Sequence, residues 1–354
     1  MPNHKYAVLL AGGQGSRFWP QSRTLEPKQF LSLCRKNTFF EETLSRVKSL
    51  IRPKNIFIVT SELYRHQISK IIPSFRIPSG NVIFEPEPKN TAPSVGIAIR
   101  LISLSDPHAT VCVLPCDHMI RNKAQFIRLL DKATKSCGDN LVIFGIPPER
   151  AATGYGYIKI VLRQKATISK DMCRVEKFIE KPGLKVAQRF LKNGGYFWNS
   201  GIFVGSCQRF SEEIKNHLPR LNKELNKIKT LQDINLIWDR VSPVSFDYGV
   251  LEKSRHLLML AAKNLGWSDL GSWQAWDSCL TKDKQGNAIK ADVVNLGSEN
   301  ITVLGKGRVI AAIGLKDLII IDTADALLIT KKDKSEEVKR VVEILKQNRR
   351  SEHF

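Results

Sequence analysis

The chain of 354 residues has no run of 18 apolar residues, so it carries no candidate membrane-spanning helix. Its opening, MPNHKYAVLLAGG, has too short an apolar stretch for a secretory leader. Acidic residues are scarce: 34 Asp and Glu face 55 Lys and Arg, a formal charge of +21. Such a surplus suits either nucleic acid or small anionic substrates. The cations are scattered, however, with no basic block interleaved with aromatics, no finger and no RNP-like segment. The reading is therefore a basic surface that meets anionic small molecules, with no nucleic-acid and no membrane partner. The seven cysteines (Cys34, Cys112, Cys116, Cys137, Cys173, Cys207 and Cys279) are odd in number, form no CxxC pair and have no histidine cluster at zinc spacing. They are expected to be reduced thiols of a cytoplasmic protein. Two phosphate-binding fingerprints are also missing. A G-x-G-x-x-G motif starting at Gly13 would need glycine where Phe18 stands, and no P-loop lysine follows Gly15.

The stretch YAVLLAGGQGSRFWPQSRTLEPKQF, residues 6–30, organises the rest. Tyr6 to Leu10 reads as a first buried strand. The Gly-rich run from Gly12 to Gly15 lets the backbone turn sharply and approach a ligand. Its N–H groups can converge on phosphate oxygens. Arg17 adds a planar, permanent cation, and Lys28 adds a second charge after Pro27. By itself, a Gly-rich turn after a strand is equally a tight connection to a helix.

With Arg17, Pro20 and the PKQF segment included, the stretch resembles the signature of sugar-1-phosphate nucleotidyltransferases. The likeness is to the mannose-1-phosphate guanylyltransferases in particular, and it extends along nearly the whole chain. NTAP at 90–93 resembles the segment beside the nucleobase. PCDH at 115–118 resembles the family's PADH, with Cys116 for the usual alanine. TGYGYI at 153–158, FIEKP at 178–182, YFWNSGIF at 196–203, SFDYGVLEK at 245–253 and GWSDLGSW at 266–273 each have a counterpart. The PPERAA that precedes TGYGYI departs from the commoner pattern. Taken singly, several of these strings have blander readings: a strand-end Asp117 or Asp269 is a turn former, and the Glu180–Lys181 pair is a solvated ion pair.

The resemblance implies transfer of GMP from GTP to mannose 1-phosphate, giving GDP-mannose and pyrophosphate. It implies catalytic roles for Arg17, Lys28 and Lys181. Leu10, Ala11, Gly12, Gly13, Gly15, Ser16, Asn90 and Thr91 would hold the nucleotide, and Gly154, Glu180 and Asn199 the sugar. Asp117 and Asp269, about 150 residues apart, would hold Mg²⁺. A same-fold enzyme using another nucleotide or hexose 1-phosphate remains the rival reading. A regulatory relative that had lost catalysis would lack one of Arg17, Lys181, Asp117 or Asp269, and all four are present.

The pattern also bears on fold. Apolar runs at Asn55–Thr60, Val82–Glu85, Thr110–Leu114 and Leu141–Gly145 alternate with helical stretches at Thr38–Ile51 and Ser94–Leu104. This predicts an α/β, Rossmann-like domain with a mixed, mainly parallel sheet. Ligands of such sheets bind at the carboxyl ends of the strands. Thr91 is the expected helix cap. After about Leu280 the texture changes to short, Gly-punctuated strands, which suit either a small β-solenoid or a sandwich. The expected division is a catalytic domain over 1–280 and a β-rich segment over 281–354. Family members carry a β-helix-like segment there that aids dimer contact, which implies a homodimer. Val338, Val341, Val342 and Leu345 mark one face of a terminal helix. The chain ends before any cupin-like isomerase domain, so the bifunctional form of the family is not expected.

Overall fold

The structure, a computed structural model, describes residues 4–13, 15–33, 36–161, 167–169, 171–350 and 353–354. Described residues within 1–12, 43–116 and 120–267 form one compact unit, and those within 13–42, 117–119 and 268–354 form a second.

The first unit is built on a ten-stranded sheet. Its strands are β1 (Lys5–Ala11), β2 (Ile56–Ser61), β3 (Val82–Glu85), β4 (Thr110–Pro115), β5 (Leu141–Ile146), β6 (Tyr157–Ile160), β7 (Thr167–Ser169), β8 (Met172–Ile179), β9 (Tyr196–Ser206) and β10 (Leu257–Ala261). The order is β3-β2-β1-β4-β9-β5-β10-β8-β6, with β7 on β8. The first four strands pair in parallel. Their near-continuous apolar runs suit burial on both faces: Val8, Val59, Ile83, Val111 and Val113 lie in one core cluster.

Periodicity alone would set β5 beside β4. Instead the long strand β9 inserts antiparallel between them. Its register against β5 shifts between Asn199 and Phe203, an irregularity that takes in Gly201 at φ 71°. The helix Thr91–Ser105 packs along the sheet through Val95, Ile99 and Ile102. Its cap is Asn90, whose side-chain oxygen accepts from Thr91 N at 2.9 Å. Thr91 is the first helical residue, and its hydroxyl accepts from Phe246 N at 2.8 Å. The expected cap is thus displaced by one residue, because Thr91 serves a tertiary contact instead.

The second unit gathers around Phe18, Trp19, Leu31, Trp273, Trp276, Ile319, Ile321, Val338 and Val342. β11 (Ala288–Lys290), β13 (Thr302–Leu304) and β15 (Leu318–Asp322) stack in parallel, and β16 (Leu327–Lys331) runs back along β15. β12 (Val293–Leu296) and β14 (Ile310–Ile313) form a second parallel pair. Successive parallel rungs joined by short turns make this segment helix-like rather than a sandwich. A buried ion pair ties it together: Lys332 Nζ donates to both Asp277 oxygens at 3.1 Å and to Asn300 at 2.8 Å. Satisfying each polar atom in this way offsets the desolvation of a buried pair. The terminal helix spans Val338–Gln347, with Val338 and Val342 in the core. The six described cysteines are free thiols; Cys34 lies outside the described residues. No helix among the described residues is long and apolar enough to cross a membrane.

Candidate active site

In the second unit Gly15 leads into the segment that carries Arg17. Gly15 sits at φ 61°, a left-handed conformation, and begins a single 3₁₀ turn at Ser16–Phe18. Ser22 Oγ donates to the Gly15 carbonyl at 2.8 Å. A Cβ at Gly15 would overlap the Lys28 side-chain stem, so this position is closed to other residues by conformation and by space. Phe18 is buried and Arg17 beside it is exposed.

A cavity of about 320 Å³ opens there, lined by Gly15, Ser16, Arg17, Lys28, Asp117 and Asp269 among others. Residues far apart in the chain therefore share one wall. Lys28 is only 4% exposed, which for a lysine demands a charge partner. Its Nζ donates to Asp117 Oδ2 at 3.0 Å and to the backbone carbonyl of Asp269. The Phe18 and Phe39 rings lie 5.7 and 5.9 Å from the same ammonium. Desolvation opposes charge on Asp117, but the Lys28 ammonium and His118 outweigh it and hold the carboxyl below the usual range. His118 Nε2 lies 3.7 Å from Asp117 Oδ1.

Asp269 stands in a tight turn. Its Oδ1 accepts from Gly271 N at 3.1 Å, while the neighbouring Leu270 takes φ 45° and is fully buried. The buried leucine anchors the turn and leaves the carboxylate at the cavity. Two hard carboxylates on one cavity fit Mg²⁺, which takes one or two protein carboxylates and fills its shell with phosphate and water. Among the described residues no group of three or more His, Cys, Asp or Glu side chains is placed to enclose a metal by itself. The donor set therefore suits an ion shared with a phosphorylated substrate.

The first unit holds two further groups. At the carboxyl ends of β1 and β3, the Glu85 carboxylate lies beside Gly12: Oε2 is 3.6 Å from where a Gly12 Cβ would stand. Ser94 Oγ donates to Glu85 Oε1 at 2.5 Å. Burial pushes the Glu85 carboxyl up to about 7, although the Ser94 bond pulls the other way. No motif in the sequence singles out Glu85. The available signal was an acidic residue closing an otherwise apolar strand just ahead of NTAP.

The second group surrounds Asn199. Asn199 N donates to the Gly156 carbonyl at 2.8 Å, and its side-chain Nδ2 donates to Asp247 Oδ1 at 2.7 Å. Gly201 N donates to Asn199 Oδ1 at 3.0 Å, which fixes the amide orientation. A Cβ at Gly156 would come 2.5 Å from Glu180 Oε2 and 2.9 Å from the Phe178 ring, so a side chain there would displace one or both. Lys181 Nζ pairs with Glu180 Oε1 at 2.9 Å, and Lys181 takes φ 46°. Glu180 N donates to Glu252 Oε1 at 2.9 Å. Burial, then the Glu180 charge, raises the Asp247 carboxyl to about 6. Glu180, Lys181 and Asn199 thus all lie around the Asp247 carboxyl. Gly154 lies in an exposed turn, with no atom within 4 Å of a Cβ built there. Tyr155 contacts Trp198 and Trp267 at ring distances of 5.0 and 5.6 Å. Tyr157 is fully buried against Phe190 and offers no face to a ligand. Tyr155 stands in the turn ahead of β6, whereas Tyr157 is the first residue of that strand and faces its core.

Residues 6–285 match the family model described as nucleotidyl transferase, and residues 291–345 match the MannoseP isomerase/GMP-like beta-helix domain. The chain is 35% identical over 365 residues to mannose-1-phosphate guanylyltransferase 2 of Escherichia coli O157:H7, covering 98% of this chain and 75% of that protein. It is 35% identical over 358 residues to the alginate biosynthesis protein AlgA of Pseudomonas fluorescens, covering 98% and 72%. A crystal structure described as mannose-1-phosphate geranyltransferase from Thermus thermophilus superposes with a TM-score of 0.87 at 27% identity, over 97% of this chain and 100% of that one. The chain belongs to the nucleotidyl transferase family, in the group that holds the mannose-1-phosphate guanylyltransferases.

Proposed function

We propose that the protein transfers GMP from GTP to α-D-mannose 1-phosphate, releasing pyrophosphate. The observation that carries this reading is the single cavity into which Arg17, Lys28, Asp117 and Asp269 converge. A phosphate oxygen of the sugar attacks the α-phosphorus, the bond to the β-phosphate oxygen breaks, and pyrophosphate leaves with that electron pair. No protein nucleophile is required. The chain supplies position and charge, which act on a displacement of this kind without further chemistry.

Loop backbone from Gly12 to Ser16, with Arg17 and Lys28, neutralises the triphosphate. Asp117 and Asp269 hold a Mg²⁺ whose chemistry is charge neutralisation at the transferred phosphate. Lys181 holds the sugar phosphate, and Glu180 and Asn199 take sugar hydroxyls. Asp247 keeps the Asn199 amide turned for that task. Leu10, Ala11, Asn90 and Thr91 frame the base.

Glu85 reads the base. Guanine presents N1–H and N2–H donors to a carboxylate, whereas adenine presents an acceptor at position 1. Adenine would leave the carboxylate buried and unpaired, at about 1–3 kcal/mol per lost bond. The exposed apolar face of the β12–β14 pair, with Val294, Leu296 and Ile313 each more than half exposed, supports a homodimer. The free thiols are in keeping with a cytoplasmic enzyme.

The test is competition between equal GTP and ATP for limiting mannose 1-phosphate, with the products separated by chromatography. GDP-mannose should dominate by about a hundredfold. Equal or greater ADP-mannose would overturn the guanine assignment, and transfer to glucose 1-phosphate alone would overturn the sugar assignment.

A further inference from the structure

The cavity that holds Arg17, Lys28, Asp117 and Asp269 has one wall that the reaction described above leaves without a role. Lys339, from the second position of the terminal helix, lines it. The placement follows from packing within the second unit. Val338 and Val342, one helical turn apart, are buried in the cluster that contains Phe18 and Trp19. Seating that face against Phe18 brings the neighbouring position, Lys339, to the cavity that Arg17 also lines.

We propose that Lys339 is a phosphate-binding residue of the site, and that it holds the pyrophosphate part of the nucleotide and the leaving pyrophosphate. The inference rests on the guanylyl-transfer reading. The charges on the cavity wall favour it. Of the three Lys and Arg side chains there, Lys28 is buried and already committed to Asp117 at 3.0 Å. Lys339 is 58% exposed, and its partner Glu343 lies 3.4 Å away and is 52% exposed. An exposed pair of that kind contributes little and yields readily to a multiply charged anion. Counting side chains alone, Asp117 and Asp269 offset two of the three positive charges, so the wall without Lys339 carries none in excess. Lys339 supplies the side-chain surplus, to which a Mg²⁺ held by Asp117 and Asp269 would add. Pyrophosphate is the fragment with the most charge, and it gains charge as the bond breaks. A cation placed on it serves both binding and departure. Lys181, the cation assigned to the sugar phosphate, belongs to the other unit.

The experiment measures binding of magnesium pyrophosphate and, separately, of GMP to the full chain by calorimetry. Wild type, Lys339→Ala and Lys339→Arg are compared, and thermal melts establish that each is folded. Lys339→Ala should weaken pyrophosphate binding about 10–100-fold, the size of one charge-assisted hydrogen bond, and leave GMP binding unchanged. Lys339→Arg should retain most of the affinity. Pyrophosphate binding unaffected by Lys339→Ala overturns the proposal, and so does an equal loss for GMP, which would mark a general field effect. The binding assay needs no turnover. If the wild type binds pyrophosphate but makes no GDP-mannose from GTP and mannose 1-phosphate, the functional reading fails while the role of Lys339 is still decided.

Discussion

Glu85→Gln separates two consequences of one buried carboxyl. The substitution keeps size and shape and leaves an oxygen to accept from Ser94. Burial raises this carboxyl from its ordinary 4.5 to about 7. Between those values the folded protein holds a proton that the unfolded chain has released. The stability Glu85 contributes is therefore fully present below pH 4.5, and it is lost as pH rises through about 7. At about 1.36 kcal/mol per pKa unit, the loss is about 3 kcal/mol. Glutamine carries no charge, so the variant should match the parent at pH 4.5 and exceed its stability at pH 8 by up to about 3 kcal/mol. Catalysis should move the opposite way. Losing the carboxylate that accepts from guanine should raise the KM for GTP about 10–100-fold, leave the KM for mannose 1-phosphate alone and erode discrimination against ATP. Urea unfolding at the two pH values and steady-state kinetics at pH 8 measure both effects. A gain in stability together with a loss of nucleotide affinity does not arise from general damage. Identical unfolding midpoints at pH 8, or an unchanged KM for GTP, would refute the assignment.

Other substitutions test the remaining groups. Asp117→Asn and Asp269→Asn should each lower turnover by orders of magnitude while the melting temperature holds; full activity in both, or full activity of the parent in EDTA, excludes the shared metal. Arg17→Ala should lower kcat/KM about 10–100-fold, and Lys181→Ala should raise the KM for mannose 1-phosphate more than that for GTP; the reverse ranking would exchange the two phosphate assignments. Gly15→Ala places a methyl group against Lys28 at a left-handed φ, so it should cost about 1–2 kcal/mol of stability in urea unfolding and displace the Lys28 ammonium, with turnover falling at least about tenfold.

Much of this protein is written locally. The apolar runs of β1 to β5 announce buried strands because each is short, continuous and bounded by turn residues. The terminal helix is announced by Val338, Val341, Val342 and Leu345, whose spacing matches a helical turn. Gly15 and Arg17 mark a phosphate loop because the backbone conformation and the charge sit within three residues of each other. What only the tertiary structure decided is adjacency. No local pattern states that β9 enters the sheet between β4 and β5, since strand order depends on which edges find partners after collapse. Glu85 gains its raised pKa from burial beside Gly12 and Ser94, a property of the folded core and not of a VIFE strand. Tyr155 and Tyr157 look alike in the chain, yet one reaches the surface and the other packs on Phe190. Lys339 reads as one more cation on a basic helix. It becomes a cavity residue because the apolar face beside it seats against Phe18. A sequence specifies each residue's chemistry, but the concentration of opposing and like charges around a ligand is set by packing between segments hundreds of residues apart.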